Sequence, residues 1–249
     1  MKIIKFDFLV RYIVPEHVRP YAKNLVSCVL VGYLVRIAIM PLLATPDYFT
    51  TQWVSLTLMK YHQLIPSNDP PPVFYLFSIF YYLIRPILPS TIPNFLTSNT
   101  AFTPPTDLQR FSLLQPDIQT FLFITKIPYL LFDLASGLLL MHLMDDGKKA
   151  ATVFKVWILN PVSIFVSYAI GQFDIIPVFF IILALYFFKK GKVGWTVISL
   201  GTASAFKMFG LFLLPIIILI SSKGIKSLTK KLKKTFLLII MALIPIVFV

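Results

Sequence analysis

A few polar side chains stand out because they lie in or beside long apolar stretches of the sequence. Asp47 follows the first apolar stretch in ATPDYFTTQW, and Asp69 lies in SNDPPP. Gln172 and Asp174 lie together in YAIGQFDIIP, between two apolar stretches. Ionisable groups are costly in such surroundings, so they mark candidate functional positions. A carboxylate placed at a membrane surface can accept a proton, which is the chemistry of a general base.

Two lysines supply the opposite charge. Lys126 lies in FLFITKIPYLL and Lys207 in SAFKMFGLFLLP, each near the predicted outer end of an apolar stretch. An ammonium at such a depth either binds an anion or reaches the interface on its flexible side chain. For Lys126 the sequence favours the interface, whereas for Lys207 the two interpretations stay open.

Each acidic candidate also has a structural interpretation. Thr45 can cap a helix that begins at the next residue, in which case Asp47 only favours the helix dipole. An aspartate directly before proline, as at Asp69, is common turn chemistry. The polar pair after Gly171 either caps a helix or lines a cavity beside a short span, and the glycine permits a tight bend there.

The composition places the chain in a membrane. Hydrophobic residues make up 57% of the chain and charged residues 13%, and the mean hydropathy is +0.83. An average soluble domain has about 25% charged residues, so we predict a polytopic membrane protein with the bilayer as its surroundings. The net charge of +13 comes from basic residues clustered between apolar runs, which is typical of cytoplasmic loops rather than of nucleic-acid binding. Cys28 is the single cysteine, and no metal- or nucleotide-binding motif is present, so neither a metal nor a cofactor is predicted.

The apolar runs predict an all-α membrane protein with about seven transmembrane helices. The predicted spans cover residues 24–44, 120–141, 150–170, 175–188, 193–206, 208–222 and 235–249. Of the 23 basic residues, 17 fall in the N-terminal tail 1–23 or in and beside the predicted inner turns, and 3 fall in the predicted external segment. The other three, Arg36, Lys126 and Lys207, lie within apolar segments. This bias predicts a cytoplasmic tail.

Residues 45–118 are predicted to form one large external loop. The apolar run 72–88 contains Arg85 and Pro86 and must not cross if the basic turns are to stay inside, so we predict a juxtamembrane helix there. Residues 119–249 supply the remaining spans, with a hairpin bent near Lys207–Gly210, and 1–249 is treated as one membrane module. The last apolar run has no polar flank, so we expect either a partner subunit at the C-terminal helix or a longer protein.

The order of these segments resembles the GT-C superfamily, the membrane glycosyltransferases that use a polyprenyl- or dolichyl-phosphate sugar. A GQFD loop at Gly171–Asp174 precedes a short span, a basic turn and a small-residue span that ends at Lys207. Near the front, four residues are similar to the D-[FY]-E-A-Q-x-x-W pattern of one branch: Asp47, Tyr48, Gln52 and Trp53. Phe49 stands where that pattern has its glutamate.

The resemblance implies an inverting transferase that moves a hexose from the lipid-phosphate donor to a lipid-linked glycan or another hydroxyl acceptor. It implies Asp47 as the catalytic base, and Lys207 together with Lys126 at the lipid phosphate. The other implied substrate-binding residues are Gln52, Trp53, Asp69, Gln172 and Asp174. The reaction would take place at the outer or luminal face of the cell membrane, or of the endoplasmic reticulum membrane in a eukaryote. Which sugar and which acceptor are used stays open.

Two other functions fit the same pattern. A carrier or flippase for lipid-linked sugars would need a phosphate-binding lysine but no base at Asp47. A structural membrane subunit would use its last helix to contact a partner. Sugar transfer by the purified protein separates the enzyme from both alternatives.

The predicted topology can be tested by cysteine labelling. With Cys28 replaced, a cysteine at Ser98 should react with an impermeant thiol reagent in intact cells, or in intact vesicles that expose the luminal face. The reason is that residues 45–118 are predicted to be external. Labelling only after the membrane is broken would contradict the assignment of the basic turns to the inside.

Overall fold

The computed structural model describes residues 14–98, 109–110, 112–223 and 227–247. Of these described residues, 79% are helical and none lies in a strand. A 3₁₀ helix at Glu16–Tyr21 precedes α1. The helices are α1 Ala22–Ile39, α2 Pro46–Tyr61, α3 Pro71–Ile84, α4 Thr91–Ser98, α5 Ile118–Thr125, α6 Ile127–Leu143, α7 Gly147–Ile158, α8 Ile175–Lys189, α9 Val193–Phe206, α10 Phe209–Ser221 and α11 Leu228–Val247. Between α7 and α8, a short helix at Pro161–Ser163 continues into a π-helix at Ile164–Ala169.

Within the described residues, three helical stretches are long and apolar enough to cross a membrane. They are Glu16–Ile39, Ile118–Leu143 and Gly147–Ala169, and each coincides with a predicted span. The later predicted spans form shorter apolar helices, α8, α9 and α10, as their short apolar runs require. The all-helical membrane class is therefore confirmed, whereas the count of seven spans stays a prediction.

Two local predictions from the apolar runs concern helix boundaries. The run 72–88 contains one helix of 14 residues, α3, and its position along the membrane surface stays a prediction. The predicted break near Lys207–Gly210 is present, because α9 ends at Phe206, Lys207 has an extended backbone, and α10 begins at Phe209.

The chain divides into two compact units. Unit 1 comprises Met1–Leu34, Phe132–Asn160 and Ile176–Val249, and unit 2 comprises Val35–Leu131 and Pro161–Ile175. Whether the chain acts as one membrane module stays a prediction.

In unit 1, segments predicted to be cytoplasmic meet at one end. The Lys189 ammonium lies 2.6 Å from the Asp145 carboxylate, which joins the 189–192 turn to the 145–149 turn. The hydrogen bond and charge of Lys189 lower the pKa of Asp145. The His17 ring lies 3.1 Å from the carbonyl of Met144, so the end of the N-terminal tail reaches the same place. This common end agrees with the charge-based topology.

The apolar core of unit 1 lets two helices approach closely at a glycine. In α9, Val197 and Leu200 pack with Leu238 and Ala242 of α11. A methyl group at Gly201 would overlap the backbone carbonyl of Ala242. Small residues permit this kind of close approach between membrane helices.

We therefore expect Gly201→Ala to weaken the α9–α11 contact by about 1–3 kcal/mol, the usual cost of overpacking. The measurement is the thermal unfolding midpoint of the detergent-purified protein. Gly194→Ala is the matched control, because it lies in the same helix and its methyl group would meet only the flexible end of Met241. Equal midpoints for the two variants would contradict the close contact at residue 201.

Candidate functional site

The first candidate residue, Asp47, lies in a capped helix start. Thr45 is the N-cap of α2, its hydroxyl accepting a hydrogen bond of 3.4 Å from the Tyr48 N–H, and Pro46 is the first helical residue. Asp47 follows in the first turn and is exposed. The capping predicted from the sequence is confirmed, and it leaves the carboxylate of Asp47 at the surface, where it favours the helix dipole and can also meet a ligand.

A threonine brings Asp69 to the same helix start. The Thr51 hydroxyl lies 2.6 Å from a carboxylate oxygen of Asp69 and 3.0 Å from the backbone carbonyl of Asp47. Thr51 is one turn after Asp47, so Asp69 is held beside the first turn of α2 although 22 residues separate the two aspartates. Asp69 is half-buried.

The GQFD connection meets the same end of α2. The carbonyl of Ile170 accepts hydrogen bonds from the N–H and the hydroxyl of Thr45, at 3.0 Å and 3.1 Å. Gly171 has a φ of +83°, and a β-carbon there would lie 2.6 Å from the Tyr48 ring, so both the backbone angle and the space require glycine. Gln172 and Asp174 follow, both half-buried.

A buried tyrosine links these acidic groups. The Tyr129 hydroxyl donates to the carbonyl of Gly171 at 3.1 Å, and the carboxylates of Asp69 and Asp174 both lie within electrostatic range of it. Unit 2 therefore collects Asp47, Asp69, Gln172 and Asp174, which we call the acidic cluster. Their carboxylates and amide are hydrogen-bond acceptors suited to hydroxyl-rich ligands.

Gln52 and Trp53 lie in the interior behind this cluster. Both are buried in α2, and the Tyr81 hydroxyl donates to the side-chain oxygen of Gln52. Burial raises the pKa of Tyr81 well above its usual value, so the phenol stays protonated and keeps donating. This bond fastens α3 to α2, and a substrate role of Gln52 and Trp53 stays a prediction.

Lys126 lies deep in unit 2 and is fully buried. Its ammonium donates to the carbonyls of Met40, Leu43, Tyr168 and Ala169 at 2.9, 2.6, 2.8 and 3.2 Å. It also lies 5.4 Å from the centre of the Tyr48 ring. An ammonium has three protons, so these four acceptors use its whole donor capacity. The structure thus places Lys126 in the framework that supports the cluster.

The sequence analysis did not single out Thr125 and Tyr129, and it named Tyr48 only as part of the D-[FY]-E-A-Q-x-x-W resemblance, without a role. The Tyr48 hydroxyl is hydrogen-bonded to the Thr125 hydroxyl, and burial raises the pKa of Tyr48 despite that bond. The available signal was the presence of threonine and tyrosine hydroxyls in the segments FITKIPY and PDYF, which lie within or beside otherwise apolar sequence. Only the chain path shows that these hydroxyls meet.

Lys207 belongs to unit 1, in the extended link between α9 and α10, and is half-buried. Its role at a lipid phosphate stays a prediction. Among the described residues, no group of three histidine, cysteine, aspartate or glutamate side chains is placed to hold a metal ion.

Comparison with known proteins gives a family and two relatives. Residues 91–249, well over half of the chain, match the family described as GPI transamidase subunit PIG-U. Over 115 residues, 45% of the chain, it is 30% identical to GPI mannosyltransferase 1 of Kluyveromyces lactis. Over 99 residues, 38% of the chain, it is 29% identical to GPI mannosyltransferase 1 of Saccharomyces cerevisiae.

These relatives are longer than the matched part of this chain. The aligned segments span 28% and 24% of the two mannosyltransferases. No solved structure matches the chain. The comparisons agree with a membrane glycosyltransferase-like family, as the resemblance to the GT-C superfamily implies.

The placement of Lys126 generates a stability prediction. Lys126→Met should destabilise the protein strongly, by about 1–3 kcal/mol for each buried carbonyl that loses its donor. The measurement is the thermal unfolding midpoint in detergent. Lys207→Met is the control, because it removes the same charge from a half-buried link and should leave folding largely intact. A Lys126→Met protein as stable as the control would contradict the framework role.

Proposed function

This chain belongs to the family of GPI transamidase subunit PIG-U, and we propose that it is a membrane subunit that binds a GPI glycolipid through the acidic cluster without transferring a sugar to it. The endoplasmic reticulum membrane, where GPI-pathway relatives reside, is the proposed location. The partner at the C-terminal helix would be another subunit of the same complex.

One observation supports binding over transfer. The acidic cluster offers acceptors for sugar hydroxyls, but the Lys126 ammonium beneath it is fully engaged by four backbone carbonyls. A transferase must stabilise the negative charge on the departing lipid phosphate, which usually takes an available cation. Unit 2 therefore has the groups to hold a glycan, while its buried lysine is not available to a leaving group.

The extent of the family match supports the same proposal. The match begins at residue 91, after α2 and α3, and thus includes Gln172 and Asp174 but neither Asp47 nor Asp69. The matched part includes Lys126, two of the four residues whose carbonyls accept from it (Tyr168 and Ala169), and the GQFD connection. The base that the glycosyltransferase resemblance implies lies outside it.

A second function is favoured by Asp47 itself. Its carboxylate is exposed, and no ion pair or side-chain hydrogen bond engages it within the described part of the chain. Together with the likeness to GPI mannosyltransferase 1, this supports an inverting hexosyltransferase in which Asp47 takes the proton of the acceptor hydroxyl. A polyprenyl- or dolichyl-phosphate sugar would be the donor, with Lys207 at its phosphate.

Binding and transfer can be separated in one experiment. The full chain in nanodiscs is given a mannose-bearing GPI glycolipid, and binding is measured alongside transfer from radiolabelled dolichyl-phosphate mannose. We expect binding by the wild type without transfer. Asp47→Asn and Asp69→Asn should each weaken binding about tenfold, the value of a charge-assisted hydrogen bond.

Asp146→Asn is the matched control. Asp146 caps α7 through a 2.7 Å bond from the Lys149 N–H, and asparagine caps equally well, so this variant should bind like the wild type. If the wild type transfers the sugar and the Asp47→Asn variant does so about 10²–10⁴-fold more slowly, the transferase would replace the subunit proposal. A well-folded protein that shows neither binding nor transfer would contradict both the subunit proposal and the transferase proposal.

A further inference from the structure

A second open site lies in unit 2, at the other end of α2. A cavity of about 500 Å³ is formed by the last turns of α2 and α3 and by the start of α4. Asp47 and Lys60 are 13 residues apart in α2, so the cavity lies about 20 Å from the first turn of that helix. It is therefore separate from the acidic cluster.

The cavity is lined by positive charge. Lys60, His62 and Arg85 all lie on its wall, and among the described residues that line it there is no aspartate or glutamate. Both Lys60 and Arg85 are exposed, and within the described part of the chain neither forms an ion pair with a carboxylate. Three basic groups without an acidic neighbour on one concave surface favour an anionic ligand.

Polar donors accompany the charges. Ser90, Asn94 and Thr97 of the α4 region face the same cavity. The Lys60 ammonium donates to the Thr97 hydroxyl at 3.0 Å, which fixes the lysine on the wall and leaves it two further protons for a ligand. This combination of ammonium, guanidinium and hydroxyl groups is suited to phosphate oxygens.

The wall is held in place before any ligand binds. The Ser78 hydroxyl donates to the carbonyl of Ser55 at 2.7 Å, and Tyr81 is bonded to Gln52, so α3 is fixed on α2. The Tyr61 hydroxyl donates to the carbonyl of Thr97 at 3.4 Å and joins α4 to the end of α2. The basic groups at the ends of α2 and α3 and the polar groups of α4 are thus presented by three connected helices.

The rest of the cavity is apolar and adjoins an exposed apolar helix face. Leu56, Met59 and Pro93 line it beside the basic groups. On α3, Tyr82 also lines it and is 70% exposed, and the neighbouring Leu83 is 71% exposed. Because α3 is predicted to lie along the membrane surface, this face is suited to the interface region of a bilayer.

We propose that this cavity binds a phosphate ester, with the phosphate at Lys60 and Arg85 and the apolar part of the ligand against Leu56, Met59 and Tyr82. Two sources present this chemistry: the headgroup of an anionic membrane phospholipid, and a water-soluble phosphate ester. The apolar wall and the adjacent exposed face favour the lipid. The proposal is independent of the function of the acidic cluster.

The test uses the full chain in a nonionic detergent and native mass spectrometry. Dioctanoyl phosphatidic acid and glycerol 3-phosphate are titrated separately, and the dissociation constant of each is measured. We expect phosphatidic acid to bind and Arg85→Gln or Lys60→Gln to weaken it about tenfold, since each removes a charge-assisted hydrogen bond.

Arg110→Gln is the matched control, because Arg110 is also an exposed arginine of the predicted external loop but does not line the cavity. It should leave the affinity for phosphatidic acid almost unchanged. Because all three substituted residues are exposed, the three variants should have the same thermal unfolding midpoint. Equal binding of glycerol 3-phosphate would support the site and assign it to a soluble ester. No binding of either probe, or equal losses in Arg85→Gln and Arg110→Gln, would overturn the proposal.

Discussion

The structure of unit 2 depends on the solvation of one buried cation. Four backbone carbonyls surround the Lys126 ammonium. Two of them, of Met40 and Leu43, come just after the end of α1, and the other two, of Tyr168 and Ala169, are at the end of the π-helix. Carbonyls at helix ends lack partners within the helix and lie at the negative end of its dipole. One lysine thus donates hydrogen bonds to the free carbonyls of two helix ends. Burying its charge costs on the order of several kcal/mol, and this cost is offset only while both helix ends stay in contact with the ammonium.

The acidic cluster is a consequence of this arrangement. The ends of α1 and of the π-helix are fixed around Lys126. Shortly after these ends in the chain lie Thr45 and Ile170, which are joined by two hydrogen bonds. Tyr48 fills the space between the ammonium and Gly171, which brings the first turn of α2 against the GQFD connection. Residues distant in sequence therefore meet at the start of α2.

The helix α2 has opposite charges at its two ends. Asp47 lies in its first turn and Lys60 in its last, as the helix dipole favours, and each end adjoins a different candidate site. Membership of the PIG-U family and the likeness to GPI mannosyltransferases support the proposal that the protein binds an amphipathic, glycan-bearing lipid. Such a molecule has hydroxyl groups and phosphate groups, which need acceptors and cations respectively.

The sequence by itself determined the features that depend on local chemistry. The apolar runs defined the membrane class and the short α3, Thr45 with Pro46 defined the start of α2, and the break at Lys207 followed from the span lengths. What it could not determine was the set of partners for the polar groups, because these contacts join segments that are distant in sequence, such as Thr45 and Ile170, which are 125 residues apart. Lys126 shows the difference: the sequence suggested an interfacial side chain or a phosphate ligand, since a lysine near a span end permits both. Only the tertiary structure placed four carbonyls around its ammonium and made it a support for the acidic residues.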